Sequence, residues 1–315
     1  MTTRDHGGDL DRAASVYGGA LERWIDQSTG INPRPYPVPD VPSTDWQRLP
    51  LARDLDVLLA TAHQVWGVPK GIEIVAAPGA SALIAAIPHV LDGTAVTIEE
   101  PTYNEHRAAF EASGWTIGAN AATRVIVHPN NPDGRTWDRD VADSAKQLII
   151  DESFCDTMPE ASLVELANRP GTILLKSFGK FWGLAGLRLG FAICLPETAI
   201  KLRTMMGPWA LSGPAIRIGQ AALSDEDWAR ATRDRLSKDT ARLDQMLAKA
   251  GLDIVGGTSL FRLARSRDAL SVHERLAKHH IWTRIFPANP EWIRFGLPGD
   301  HPGWDRLADA LGSSK

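Results

Sequence analysis

Short apolar runs alternate with helical patterns through the middle of the chain. The runs predict strands at 72–76, 95–98, 124–128, 148–150, 172–175 and 189–194. Apolar residues at three- and four-residue spacing, together with turn residues at the ends, predict helices at 51–65, 103–113 and 139–147. Continuous apolar strands separated by helices are typical of a mainly parallel sheet covered by helices on both faces. The predicted fold class is therefore α/β.

The two ends of the chain have other patterns. The first fifty residues are polar and rich in proline, which fixes φ and removes donors, so they predict an extended arm rather than a packed element. A long amphipathic stretch begins near Trp228, and the C-terminal part predicts strands and helices in the order strand, strand, helix, strand, strand, helix. The predicted organisation is an N-terminal arm (1–50), a large domain (51–220), and a connecting helix with a small α+β domain (221–315).

Composition narrows the class of protein. The 315 residues include 34 Lys and Arg against 38 Asp and Glu, a net charge of −4 without a basic block, which argues against nucleic-acid or membrane-surface binding. Two cysteines, Cys155 and Cys194, exclude a disulfide framework and a four-thiolate zinc site. The most apolar window, 72–91, is interrupted by proline and glycine, and the first residues contain no apolar leader. A cytoplasmic globular enzyme is expected.

Candidate chemistry lies just after the predicted strands, where open α/β sheets bind ligands. Four segments follow strand ends, and they supply a helix start, an amide cluster, an acid and a lysine in a glycine-rich loop: 78–81, 128–134, 151–154 and 176–180. Each has a simple structural explanation, such as a helix cap, a turn, an ion pair or a solvated lysine. Their coincidence at successive strand ends favours a site.

One cofactor requires these four groups. Pyridoxal 5'-phosphate needs a lysine for its aldehyde, a carboxylate for its pyridine nitrogen, and donors for its phenolic oxygen and phosphate. An apolar pocket helps the lysine to lose its proton, and only Lys176 and Lys180 of the nine lysines lie beside long apolar runs. Lys180 lies past the strand end, where its amine can face a crevice. The prediction is a pyridoxal-phosphate site with no metal.

The segment 177–191 (SFGKFWGLAGLRLGF) resembles the lysine segment of fold-type I aminotransferases, especially histidinol-phosphate aminotransferases. The Asn-Asn-Pro-Asp-Gly and Asp-Glu segments match the same family at appropriate spacing. The resemblance implies catalytic roles for Lys180, which bonds to the cofactor aldehyde, and Asp151, which contacts the pyridine nitrogen. It also implies a homodimer. The other cofactor-binding residues implied are Asn131 for the phenolic oxygen, Tyr103 for stacking on the ring, and Gly79, Ala80, Ser81, Ser177 and Arg188 for the phosphate.

Two positions depart from the family pattern. Many relatives have a tyrosine that donates to the phenolic oxygen at the position of Phe154, so Asn131 would act with less help. Relatives also often have a tyrosine before a proline that reaches the phosphate of the other subunit, where this chain has Arg48-Leu49-Pro50. This chain therefore lacks the tyrosine that makes that contact in relatives.

The substrate is predicted from four segments near the two ends of the chain. The segments HGGDL (6–10), WIDQSTGINP (24–33), IWTRIF (281–286) and WIRFG (292–296) resemble threonine-phosphate decarboxylases of cobalamin biosynthesis. This resemblance implies decarboxylation of L-threonine O-3-phosphate to aminopropanol phosphate, with arginine chosen for its bidentate geometry toward carboxylate. The implied substrate-binding residues are His6, Gly7, Gly8, Asn32, Arg284 and Arg294.

Several alternatives carry different chemistry. A histidinol-phosphate or other amino-acid aminotransferase would use the same cofactor site, and a sensor that retains the cofactor without turnover would share it too. Ser177 and Lys180 spell Ser-x-x-Lys, but the Ser-Asp-Asn and Lys-Thr-Gly motifs of serine hydrolases do not occur. No nucleotide-binding glycine motif is present. His273, His279 and His280 suggest metal, but a solvated helix face explains them better.

Overall fold

The computed structural model describes residues 6–312, and the chain divides into two compact units. The larger unit is Pro35–Arg230. The terminal unit combines the chain up to Arg34 with the chain from Ala231 onward. The N-terminal segment is thus grouped with the C-terminal part, and the unit boundaries lie at 34/35 and 230/231, whereas the predicted domain boundaries lie at 50/51 and 220/221.

The strands are β1 (Ile25–Asp26), β2 (Glu73–Ala77), β3 (Ala95–Ile98), β4 (Thr116–Ile117), β5 (Thr123–Val127), β6 (Gln147–Asp151), β7 (Thr172–Ser177), β8 (Gly190–Cys194), β9 (Asp253–Thr258), β10 (Phe261–Arg265), β11 (Ile281–Trp282), β12 (Arg284–Phe286) and β13 (Asn289–Gly296). The α-helices are α1 (Leu10–Tyr17), α2 (Ser43–Gln47), α3 (Ala52–Val65), α4 (Ala80–Val90), α5 (Asn104–Ala112), α6 (Pro196–Met206), α7 (Gly213–Ser224), α8 (Glu226–Lys249), α9 (Ala269–Lys278) and α10 (His301–Gly312). Short 3₁₀ helices connect several of them.

A seven-stranded sheet forms the centre of the larger unit, in the order β2-β8-β7-β6-β5-β3-β4. All neighbouring pairs are parallel except β2–β8 and β7–β8, so β8 runs against the others. The predicted α/β class with a mainly parallel sheet is confirmed. Leu148, Ile149 and Ile150 of β6 are all fully buried, which agrees with a strand covered on both faces. Because β5, β6 and β7 are parallel, the loops that follow them meet at one edge of the sheet.

One predicted helix, 139–147, is wrong. The structure has a 3₁₀ helix at Arg139–Ser144, and strand β6 begins at Gln147. The segment is rich in aspartate and serine, whose side chains compete with helical hydrogen bonding, and the hydroxyl of Ser144 donates to the carbonyl of Val141. The apolar residues of this short segment do not stabilise an α-helix enough to overcome that competition.

The prediction of an extended, unpacked N-terminal arm is also wrong in part. Residues 10–17 form helix α1, whose N-cap Asp9 accepts a hydrogen bond from the backbone N–H of Arg12. Ala13 of this helix is fully buried and belongs to an apolar cluster with Trp24 and Ala277. The prolines that suggested an extended arm are concentrated after residue 32, so they do not affect this helix.

The terminal unit contains a four-stranded antiparallel sheet in the order β12-β13-β10-β9 and a parallel pair of β1 with β11. The predicted element order of the C-terminal part is reproduced with one additional short strand, β11. The predicted amphipathic stretch is helix α8, and its Leu236, Leu243 and Leu247 are fully buried. Within residues 6–312, no helix combines the length and the apolar character needed to cross a membrane.

Candidate active site

The start of helix α4 forms one wall of the candidate site. Gly79 is its N-cap residue and has a φ of 84°, which glycine adopts without steric cost. A Cβ here would lie 2.7 Å from Nη2 of Arg188, so the arginine approaches the backbone as closely as only glycine permits. The first turn, at Ala80 and Ser81, directs backbone N–H groups and the positive end of the helix dipole outward. Such a helix start binds phosphate.

Asp151 ends strand β6 and is almost completely buried, with 2% of its surface exposed. Its Oδ1 accepts hydrogen bonds from the backbone N–H and the hydroxyl of Ser153, at 2.9 and 2.5 Å. Its Oδ2 lies 2.9 Å from Nε2 of His106, which is buried as well. Burial by itself raises the pKa of Asp151, but the hydrogen bonds and the interaction with His106 outweigh it and hold the pKa below its ordinary value. Asp151 is therefore a carboxylate at neutral pH.

Lys180 lies in the loop after strand β7 and is half-buried, with its Nζ 5.4 Å from the ring centre of Phe154. The other candidate, Lys176, is fully buried and paired: its Nζ lies 2.7 Å from Glu152 and 3.3 Å from Asp156. Burial lowers the pKa of Lys176, but the two carboxylates outweigh it and hold the pKa above its ordinary value. Lys176 is thus a structural cation, whereas Lys180 lines a cavity.

The two adjacent asparagines have different surroundings. The side chain of Asn130 is buried and joins the carbonyl of Pro101, the carboxylate of Asp133 and the hydroxyl of Thr102. Asn130 therefore holds the turn together. Asn131 faces the cavity described next.

The predicted cofactor-binding residues lie around one cavity of about 180 Å³ in the larger unit. Eight of the nine line it: Ala80, Ser81, Tyr103, Asn131, Asp151, Ser177, Lys180 and Arg188. The ninth, Gly79, precedes Ala80 as the cap of α4. Phe154, at the position where many relatives have tyrosine, lines the cavity too. The structure therefore brings an amine, a carboxylate, an amide, an aromatic ring and a helix start to one place.

The predicted substrate-binding residues lie in the terminal unit. A second cavity, of about 480 Å³, is lined by His6 and Arg284 together with Arg12, Ser28 and Thr283 among others. The N-terminal glycines reach the same place, because the backbone N–H of Gly8 donates to the Ser28 hydroxyl at 2.7 Å. A Cβ on Gly7 would lie 2.3 Å from the Ser28 carbonyl oxygen, so the two segments pack backbone against backbone.

Arg294 lies beside this cavity and Asn32 does not line it. Arg294 as a whole is 2% exposed, and its guanidinium donates to the carbonyl of Ser28. Arg294 is paired with Arg284 in the register of β12 and β13. Asn32 is also buried, but its side-chain oxygen accepts hydrogen bonds from Nη2 of Arg235 at 2.8 Å and from the backbone of Arg34. Asn32 therefore has a structural role in its own turn.

One of the histidines considered above as a metal ligand, His273, has a buried environment of its own. His273 is buried, not on a solvated face as expected, and its Nδ1 lies 2.8 Å from the hydroxyl of Thr283. Burial, with a smaller effect of the charge of Arg12, lowers the pKa of His273 to about 4. In another group, His128, Glu152 and Cys155, the possible metal-ligand atoms lie within 4.8 Å of one another. In His128, Nδ1 accepts a hydrogen bond from the backbone N–H of Trp137, and Nε2 contacts the carbonyl of Ala161, so both ring nitrogens have partners.

His106 contacts the candidate site, and the sequence analysis did not identify it. It lies three residues after Tyr103, the N-cap residue of α5, and that spacing is the signal that could have identified it. The rings of Tyr103 and His106 meet edge to face with centres 6.1 Å apart. His106 therefore connects the predicted stacking residue to the predicted partner of the pyridine nitrogen.

Replacing His106 by leucine is expected to lower the free energy of unfolding by about 1–3 kcal/mol, because a buried carboxylate loses a hydrogen-bond partner. The pKa of Asp151 is expected to rise, so the deficit should be larger at pH 7 than at pH 4.5, where protonation relieves it. Urea unfolding at both pH values measures this. His89→Leu, at an exposed histidine of α4, is the control. An equal deficit at the two pH values would argue against the coupling.

The amino-acid sequence matches a known family of proteins. The model of "Aminotransferase class I and II" matches residues 116–311. The chain belongs to this family.

Individual relatives narrow the comparison. The chain is 38% identical over 325 residues to a threonine-phosphate decarboxylase of Sinorhizobium sp, covering 97% of both sequences. It is 36% identical over 326 residues to a threonine-phosphate decarboxylase of Pseudomonas aeruginosa, covering 98% of this chain and 97% of the relative. The solved histidinol-phosphate aminotransferase of Sinorhizobium meliloti, in complex with pyridoxal-5'-phosphate, shares the fold with a TM-score of 0.82 at 19% identity. That match covers 98% of this chain and 94% of the other.

Proposed function

We propose that this protein is a pyridoxal-phosphate-dependent lyase that decarboxylates L-threonine O-3-phosphate to aminopropanol phosphate, a reaction of cobalamin biosynthesis. The observation that carries the proposal is the single cavity that joins Lys180, Asp151 and the start of helix α4. The substrate is proposed from the two threonine-phosphate decarboxylases that match nearly the whole chain.

The residues of the cavity fit pyridoxal phosphate. The close approach of Arg188 to Gly79 and the start of α4 provide cationic and N–H donors for a dianionic phosphate. The buried Asp151, ionised at neutral pH, would pair with a protonated ring nitrogen, and Asn131 would donate to the phenolic oxygen. Lys180 is the amine that holds the aldehyde carbon. When bound, the cofactor withdraws electrons from the bond that breaks at Cα of the substrate.

The remaining steps belong to residues of this chain. Asp151 keeps the proton on the ring nitrogen, and its contact with His106 keeps the carboxylate ionised. After carbon dioxide leaves, Nζ of Lys180 returns a proton to Cα. In the terminal unit, His6, Gly7, Gly8, Arg284 and Arg294 are proposed to bind the phosphate and the carboxylate of the substrate. Asn32 supports that segment through its contact with Arg235.

The substrate assay separates decarboxylation from transamination. With threonine phosphate alone, the purified protein loaded with pyridoxal phosphate is expected to release carbon dioxide and aminopropanol phosphate in equal amounts. The reaction needs no 2-oxoglutarate, because the product retains the amino group. Histidinol phosphate with 2-oxoglutarate is the parallel assay for the alternative aminotransferase. Turnover that depends on 2-oxoglutarate, with no carbon dioxide, would overturn the proposed reaction.

We also propose a homodimer that works in the cytoplasm. Large apolar side chains are exposed on the larger unit, including Trp46 at 70%, Leu49 at 59% and Trp209 at 60%. Trp209 also lines an apolar cavity of about 310 Å³ near Pro50. An exposed apolar surface of this kind supports association with a second copy. Light scattering on the purified protein distinguishes one chain from two.

A further inference from the structure

A buried carboxylate, Asp156, contacts donors from three separate segments of the larger unit. Its Oδ1 accepts the indole N–H of Trp66 at 3.1 Å and lies 3.3 Å from Nζ of Lys176. Its Oδ2 accepts the indole N–H of Trp182 at 3.0 Å. Asp156 is only 4% exposed, so these contacts are shielded from water and are correspondingly strong. The carboxylate therefore ties the three segments to one another.

One of these donors belongs to the loop that carries Lys180. Trp182 lies two residues after Lys180, and the backbone N–H of Gly183 donates to the Lys180 carbonyl at 3.1 Å. The indole of Trp182 is stacked between Phe178, at 5.2 Å and 13°, and Trp228, at 5.5 Å and 14°. Tyr36 and Phe181 meet this indole at steep angles, and the bond to Asp156 adds a directional contact that fixes its N–H.

The same network also reaches the segment that carries Asp151 and Phe154, which both line the cavity. Asp156 lies two residues after Phe154, whose ring lines the cavity. Lys176 also pairs with Glu152 at 2.7 Å, and Glu152 directly follows Asp151. The segment that carries the catalytic carboxylate and the loop that carries the amine are thus connected through buried charges. Backbone pairing of β6 with β7 sets the spacing of the two strand ends, and this network connects the segments that follow them.

We propose that Asp156 is a positioning residue for Lys180 and acts through Trp182. Asp156 contributes no atom to the lining of the cavity and is expected to touch neither cofactor nor substrate. Its effect is geometric: a displacement of the amine by about 1 Å can cost up to about a hundredfold in rate. The inference uses the role of Lys180 in the proposed function, but it is independent of the substrate.

Two tryptophans provide a matched pair of variants. Trp182→Phe and Trp66→Phe each remove one indole N–H donor from Asp156, and each removes the same volume from a buried site. Only Trp182 belongs to the lysine loop. A merely structural role predicts similar losses of thermal stability and no difference in chemistry. Asp156→Asn, which keeps the shape and removes the charge, is the third variant.

The measurements use the protein loaded with pyridoxal phosphate. Trp182→Phe and Asp156→Asn are expected to shift the pH at which the near-visible absorbance band of the bound cofactor changes, and to lower kcat about tenfold with KM within about threefold. Trp66→Phe should lower Tm without moving the pH of that change. Equal behaviour of the two tryptophan variants, or an unshifted band in both Trp182→Phe and Asp156→Asn, would overturn the proposal. If one variant does not fold, the other is compared with Trp66→Phe.

The absorbance titration needs no substrate. An inactive wild-type protein that binds the cofactor would overturn the proposed reaction while the comparison of the variants still tests the role of Asp156. The two failures are therefore distinguishable.

Discussion

Replacing Lys180 by alanine is expected to abolish the near-visible absorbance band that pyridoxal phosphate gives with the wild-type protein. Decarboxylation of threonine phosphate should fall at least about a thousandfold, because no other amine lines the cavity among the described residues. The fold should survive, since Lys180 is only half-buried. Absorbance and circular dichroism of the same preparation measure both outcomes.

Two further variants make this prediction specific. Lys180→Arg keeps a positive charge at the site but supplies no amine for the aldehyde, so it should also lose the band. Lys238→Ala, at an exposed position of α8, should change neither the band nor the rate. A band that persists in Lys180→Ala would show that another lysine, not Lys180, binds the cofactor aldehyde.

Asp151→Asn is expected to lower kcat about a hundredfold to a thousandfold, because the amide has the shape of the carboxylate but lacks the charge that keeps the ring nitrogen protonated. Cofactor binding should weaken, and the folded structure should remain, because the amide oxygen still accepts from Ser153. Fluorescence titration with pyridoxal phosphate and steady-state rates test these points. Asp138→Asn, at an exposed aspartate, serves as the control. Wild-type kcat in Asp151→Asn would refute its proposed role.

The pH dependence follows from the same carboxylate. Burial opposes ionisation, but His106 and Ser153 overcome it, and the pKa of Asp151 is lower folded than unfolded. The resulting stabilisation is complete above the unfolded pKa, about 4, and is lost as the pH falls through the folded value. Asp151 should therefore contribute no change in activity or stability between pH 6 and pH 9. In the wild-type protein, loss of stability assigned to Asp151 belongs to the acid range below about pH 4.

The central sheet was predictable because its strands are continuous apolar runs bounded by turn residues. Strands β3, β5, β6 and β7 begin and end within a residue or two of their predicted positions. The candidate site was predictable for a related reason. Parallel strands bring their carboxyl ends to one edge, so residues far apart in sequence, such as Asp151 and Lys180, were expected together before any distance was known.

The structural predictions were wrong where side-chain composition or contacts outweighed the local hydrophobic pattern. Aspartate and serine converted the predicted helix at 139–147 into a 3₁₀ turn. Helix α1 was missed because the prolines further along dominated the composition of the first fifty residues. His273 was assigned to a solvated face, but the hydroxyl of Thr283 and the packing of Trp282 bury it. In each case the local structure or the burial depends on residues whose effect the spacing of apolar residues does not reveal.

The sequence by itself determined the α/β class, the order of the strands along the chain, and the residue types at each strand end, because these depend on local hydrophobic pattern and turn chemistry. The sequence also favoured Lys180 over Lys176, but the tertiary structure alone decided that Lys176 is neutralised by Glu152 and Asp156. It also decided that His106 supports Asp151. Such contacts between distant segments depend on how the segments pack, and buried charges take their pKa values from partners that no local pattern specifies.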